Sequence, residues 1–129
     1  MVAMTGQQGN SNIAMINQSG SRSIGAITQS GGNNSALLNQ SGFNHRAALA
    51  QYGNGNNATV SQSGTQNSVY LVQAGTGNDA DITQSGFDNT AVVIARGKNN
   101  YTQINQTGTN RSAGVVQNSA GMAIRITQN

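Results

Sequence analysis

Side-chain catalysis needs groups that carry protons or electrons, and this sequence of 129 residues offers few. It has three acidic residues (Asp79, Asp81 and Asp88), a single histidine (His45), and neither Glu nor Cys. Hydrolysis by paired carboxylates would fall to Asp79 and Asp81 alone, two outward residues of one strand, which read better as surface decoration. Without Cys there is no thiolate metal site and no disulfide framework. The chain is therefore read as a non-enzyme, with no catalytic, cofactor or metal residues and no small-molecule substrate. What does recur at fixed spacing is carboxamide. Gln40, Gln51 and Gln62 stand eleven residues apart, each followed two places later by Gly. An amide both donates and accepts, so a column of identical amides can bond to itself as a ladder.

The elements that would build such a column follow from the rest of the repeat. Stepping by eleven from Gln7 meets Gln at every position to Gln128 except Ala95. Five places after each of these positions is usually Asn, seven after usually Ala, and nine after always an aliphatic residue, from Ile16 to Ile126. Offsets of five, seven, nine and eleven alternate with period 2, which is a β-strand with one face turned inward. The four residues between Gln and the next Asn column contain Gly and read as a tight turn.

A lone strand of this kind cannot bury its inner face. Two successive strands can face each other about 10 Å apart, with the next pair stacked about 4.8 Å above in parallel register. The expected fold is all-β: an amyloid-like, two-sheet β-solenoid of about five and a half 22-residue strand-turn-strand rungs, roughly 26 Å tall. Residues 1–6 are expected to be a short leader, 7–128 the solenoid, and 117–128 a divergent last repeat. Small Ala should face large aliphatic residues across the thin core. Val69 and Thr102, too large for Ala sites, should face the smaller Val60 and Val115, while Gly25 has no compensating neighbour. The expected stacking ladders comprise Gln18, Gln29, Gln40, Gln51, Gln62, Gln73, Gln84, Gln106 and Gln117, with Asn34, Asn56, Asn78 and Asn100. His45 takes an Asn column and is read as a hydrogen-bonding substitute for Asn.

Hydrophobic residues make up 35% of the chain and charged residues 7%. A polar chain of this kind, free of Pro and weakly charged, is prone to β-assembly. The net charge of +3 rests on six scattered basic residues. They form no basic stripe with interleaved aromatics, so nucleic-acid binding is not expected. No apolar run is long enough for a membrane-spanning helix. The opening MVAMTGQQGN lacks the features of a signal peptide, so an exported protein would be seen here in mature form.

The segment Gln51-Tyr52-Gly53-Asn54-Gly55-Asn56-Asn57-Ala58-Thr59-Val60-Ser61-Gln62 closely resembles the curlin repeat, and the similarity extends over nearly the whole chain. That resemblance implies a structural protein of curli, the extracellular amyloid fibres of bacterial biofilms, exported unfolded through outer-membrane secretion and assembly machinery. It implies polymerisation with itself and with the family's major subunit, and a role in adhesion at the cell surface. The tail Met122-Ala123-Ile124-Arg125-Ile126-Thr127-Gln128 is similar to the last repeat of the family's minor subunit, which nucleates the fibre and holds it to the cell. The basic balance also fits the minor subunit. The regular first unit, Gln7 to Gln18, fits the alternative of a major subunit forming the bulk of the fibre. In either case Asn12, Ala14, Ile16 and Gln18 are expected to form a templating edge for incoming strands. Met122, Ile124, Arg125, Ile126 and Gln128 are expected to act as a cap or as an anchor.

Overall fold

A chain that alternates inward and outward residues and bends at every eleventh position has one economical way to bury its inner columns: it coils. The computed structural model, which describes residues 1–129, is such a coil. Its strands are β1 (Val2–Asn10), β2 (Ile13–Ser21), β3 (Ile24–Gly32), β4 (Ser35–Phe43), β5 (Arg46–Asn54) and β6 (Asn57–Thr65). They continue as β7 (Ser68–Thr76), β8 (Asp79–Phe87), β9 (Thr90–Lys98), β10 (Tyr101–Thr109), β11 (Ser112–Gln117) and β12 (Ala123–Gln128). Odd strands form one six-stranded sheet and even strands the other. Every neighbouring pair is parallel and offset by 22 residues, as in Gln29↔Gln51 and Gln40↔Gln62. The fold is an all-β, two-sheet solenoid, as the spacing predicts.

It has six rungs rather than five and a half, because residues 2–6 belong to β1 and pair with β3, from Val2↔Ile24 onward. The leader assigned to residues 1–6 is thus continuous with the first rung. Its inward residues are Ala3 and Thr5. Only Ala3 matches its column, which explains why the repeat is hard to see there.

The core is thin. Sixteen buried residues, essentially the Ala and aliphatic columns, form one cluster, with Ala14, Ile16, Ile124 and Ile126 half-buried at its two ends. Gly25 is compensated after all: a Cβ built there would lie 2.7 Å from Leu38 Cδ2, so the leucine of β4 fills the space beside Ile16 of the rung below. The sheets are staggered, and each inner residue meets side chains of two rungs.

The bends are tighter than a four-residue turn. Parallel pairing runs on through the conserved-spacing Gly and one residue beyond it, as at Gly20↔Gly42 and Ser21↔Phe43. The chain then reverses at a single left-handed residue, for example Asn33 with φ 56° or Asp88 with φ 56°. Asn, Asp and Gly suit this conformation; Arg22 and Gln66 also adopt it. At Gly53 the requirement for glycine is twofold. Its φ is +110°, and a Cβ would lie 2.1 Å from the carbonyl oxygen of Gly75 in the rung above.

Candidate functional site: amide ladders and the two solenoid ends

Bending the chain strands carbonyl groups that neither sheet can satisfy, and buried polar groups must find partners. The inner amides supply them. In the even series Gln18, Gln40, Gln62, Gln84, Gln106 and Gln128 form an unbroken ladder, each Nε2 donating to the next Oε1 at 2.6–3.0 Å. Each Nε2 also donates across the core to a backbone carbonyl of the other sheet, as Gln40 does to Ile24 and Gln62 to Arg46. A buried glutamine thus links neighbouring rungs and staples the two sheets. The odd series runs from Gln7 through Gln29 and Gln51 to Gln73 and stops at Ala95. Gln117 lies beyond the break. Its Oε1 accepts instead from Thr102 Oγ1 at 2.6 Å. Thr102 therefore supplies the missing donor, a role that its position opposite Val115 did not suggest.

Asparagines work at the opposite end of each strand, and their ladder points the other way. Asn34, Asn56, Asn78 and Asn100 each donate a backbone N–H to the Oδ1 of the column member one rung earlier, at 3.0–3.2 Å. Their side-chain Nδ2 groups satisfy bend carbonyls, as Asn56 does for Tyr52 and Gly75. In the odd series Ser23 and His45 take the place of Asn. His45 Nδ1 accepts from the Asn67 N–H at 3.3 Å, which leaves Nε2–H to donate to Ser41 O at 2.9 Å. The buried histidine thus reproduces the bonding of an asparagine.

The ladders are directional, so the two ends of the solenoid differ. At the N-terminal end β1 and β2 are nine residues long, like those inside the stack. Gln7 and Gln18 begin their ladders as donors, so their own Oε1 atoms are the acceptors that another rung would engage. Asn12 accepts from Asn34 and donates through Nδ2 to Gln8 and Gly31, while its backbone N–H is left for an acceptor from another rung. Ala14 and Ile16 complete a half-buried inner face on β2.

At the C-terminal end β11 is shortened to six residues, ending at Gln117. Met122 and Arg111 stand where the Asn ladders would end. Each donates its N–H to the Asn below, but neither has an Oδ1 to offer above. The Arg111 guanidinium crosses this edge to Asn129 O at 2.6 Å, with its Nε buried and unpaired. Ser119 takes the glycine position; the Gly97 below it still needs to be glycine, since a Cβ there would lie 2.2 Å from Ser119 O. Ile124 and Ile126 pack half-buried on the core, Arg125 stacks over the Tyr101 ring at 5.7 Å, and Gln128 closes the even ladder.

Such an arrangement defines a class before it defines a family: a solenoidal structural subunit whose bonding pattern repeats along its axis. Five overlapping matches to the curlin-associated repeat, at residues 23–53, 33–64, 47–75, 53–86 and 75–108, cover most of the chain. The protein belongs to the curlin repeat family and is a structural subunit of the curli type. Family membership implies self-assembly into an extracellular fibre. No curated protein matches the chain at a significant level. No helix is long and apolar enough to cross a membrane.

Proposed function

We propose that this protein is a minor, nucleating subunit of the curli fibre: its N-terminal rung templates the major subunit, and its last repeat holds the fibre to the cell surface. The observation that carries this reading is the difference between the ends. A bulk subunit must accept neighbours equally well at both. Here the first rung offers full-length strands, Gln acceptors and the inner row Asn12, Ala14, Ile16 and Gln18. The last rung offers a short β11 and, where a neighbour would need Asn acceptors, Arg111 and Met122.

The mechanism is the removal of a nucleation cost. A disordered chain forming its first rung loses conformational entropy before any stacking contact compensates it. On a ready-made edge the same rung gains backbone pairing, Gln bonds and core contact as it forms. Export as an unfolded chain through outer-membrane machinery, with the major subunit as partner, belongs to the same reading. The segment Met122–Gln128 serves as anchor and as a cap that slows addition at this end, since a strand that ends the ladders is free to bind elsewhere.

Seeding tests the proposal. Folded protein added to soluble major subunit should shorten the thioflavin lag in proportion to seed dose. Ile16→Lys, at the templating edge, should abolish the effect, and Ile126→Lys, equally half-buried at the other end, should preserve it. An unchanged lag, or loss of seeding only in Ile126→Lys, sinks the reading.

A further inference from the structure

The outer faces of the two sheets differ from the third rung onward. The even sheet turns Ile13, Met15 and Leu37 outward in its first two rungs, but from β6 onward its outward residues include Asn57, Thr59, Asp79, Asp81, Tyr101 and Gln103. On the odd sheet the central outward column reads Met4, Ala26, Ala48, Tyr70, Val92 and Gly114. The column toward the Gln end reads Gly6, Thr28, Ala50, Val72, Ile94 and Val116. Met4, Tyr70, Val92 and Val116 are exposed. The charged residues of this face, Arg46 in the marginal column and Arg96 beyond the Gln end, lie outside these two central columns. A continuous apolar sheet face on a soluble chain marks an interaction surface.

We propose that this face docks a second copy of the chain, laid face to face with its rungs in reversed order. The residue sizes carry the argument. A twofold axis along the strands, between the third and fourth rungs, sets rung one against rung six, two against five and three against four. The central column then pairs Met4 with Gly114, Ala26 with Val92 and Ala48 with Tyr70. The next column pairs Gly6 with Val116, Thr28 with Ile94 and Ala50 with Val72. Each contact sets a larger residue against a smaller one, as interdigitating sheets require. The rung-aligned alternative sets Tyr70 on Tyr70, Val92 on Val92 and Ala48 on Ala48, leaving clashes beside gaps.

Area and charge favour a second copy over a lipid surface. Six strands about 4.8 Å apart and about five residues wide cover on the order of 500 Å² per copy, or 1,000 Å² in total, the lower bound for a specific interface. Stacked subunits repeat the contact along the axis, so weak docking becomes firm pairing. An anionic membrane would select for several cations, and the two central columns carry none; Arg46 and Arg96 stand only at the margins. The pairing does not depend on which end of the solenoid templates growth.

Two measurements decide the matter. The first is filament mass per length by scanning transmission electron microscopy. Wild-type filaments should show about twice the value of a single stack with one chain per six rungs. Val72→Lys/Val92→Lys should reduce that to the single value, while Thr59→Lys/Gln103→Lys on the polar face should leave it unchanged. Seeding by Val72→Lys/Val92→Lys should match wild type, which separates lateral pairing from templating. The second is crosslinking with a short bismaleimide, unobstructed because the chain has no Cys. Ala26→Cys/Val92→Cys should yield covalent dimers, and Ala26→Cys alone should not. Single-stack mass per length in the wild type overturns the proposal, as does efficient crosslinking by Ala26→Cys alone. Binding of wild-type single filaments to phosphatidylcholine vesicles, lost in Val72→Lys/Val92→Lys, would assign the face to lipid and overturn it too.

Discussion

Where Ala95 replaces a glutamine, the Oε1 of Gln117 loses the donor that every other ladder member after the first of each series receives from below. Thr102, an oversized residue in an alanine column, reaches the same oxygen from across the core. The two departures compensate each other, and neither makes sense singly. Thr102→Ala should therefore leave a buried acceptor without a partner and cost about 1–3 kcal/mol. Adding Ala95→Gln to that variant should recover most of the loss by restoring the regular ladder. Denaturant midpoints of the four proteins in the cycle would measure the coupling, and strict additivity would contradict it. His45 shows the same economy, since its two ring nitrogens reproduce the acceptor and donor of an asparagine.

Each strand and its bend is held by three columns with different tolerances. Ala and aliphatic positions need only the right volume, so Val69 is accommodated within the core. Amide positions need the right atoms. The glycine column needs absence of a side chain, because carbonyls of the next rung occupy that space. Position along the stack should modulate this last demand. At Gly53 a Cβ meets Gly75 O at 2.1 Å, whereas at Gly108 nothing lies closer than 3.8 Å. Both have φ of +110°, so both alanine variants bear the left-handed strain of about 1–3 kcal/mol. Gly53→Ala bears the collision as well. It should lower the denaturant midpoint clearly more than Gly108→Ala, and equal effects would show that stacking closeness is not what selects glycine. At Ser119, the next position of this column, the chain carries a side chain, and β11 ends two residues before it.

For the whole molecule, the opposed directions of the Gln and Asn ladders give the solenoid a polarity. A rung added before β1 and β2 finds Gln acceptors and free Asn12 N–H; a rung added after β11 and β12 finds no Asn acceptor. On a single, unpaired solenoid, growth should be faster at the N-terminal end. Ser119→Gly/Arg111→Asn/Met122→Asn would supply the missing glycine and acceptors, and should bring the two ends to similar rates. Imaging labelled major subunit on individual Val72→Lys/Val92→Lys seeds, with and without these changes, would show it as labelled segments of unequal or equal length at the two tips. Equal growth at both ends of Val72→Lys/Val92→Lys seeds would remove the link between ladder chemistry and polarity.

The alternation of inward and outward residues, the eleven-residue beat and the inner columns of Gln, Asn, Ala and aliphatic residues were all legible in the sequence. They reflect backbone geometry, which fixes a period of two within each strand and a bend where glycine recurs. The even Gln ladder, from Gln18 to Gln128, could be read off in full for that reason. Other features depend on which residues the coil brings together at a distance. Residues 2–6 joined the first rung although Thr5 hides their column, because backbone pairing with β3 does not require an aliphatic side chain. Leu38 fills the gap at Gly25, and Thr102 reaches Gln117, because the sheets are staggered by part of a rung. The outward residues look mixed along the chain and sort into an apolar odd face and an even face that is polar from β6 onward only when alternate units are assigned to opposite sheets. Local periodicity determines what each strand presents; the coil's pitch and stagger decide what each presented group meets.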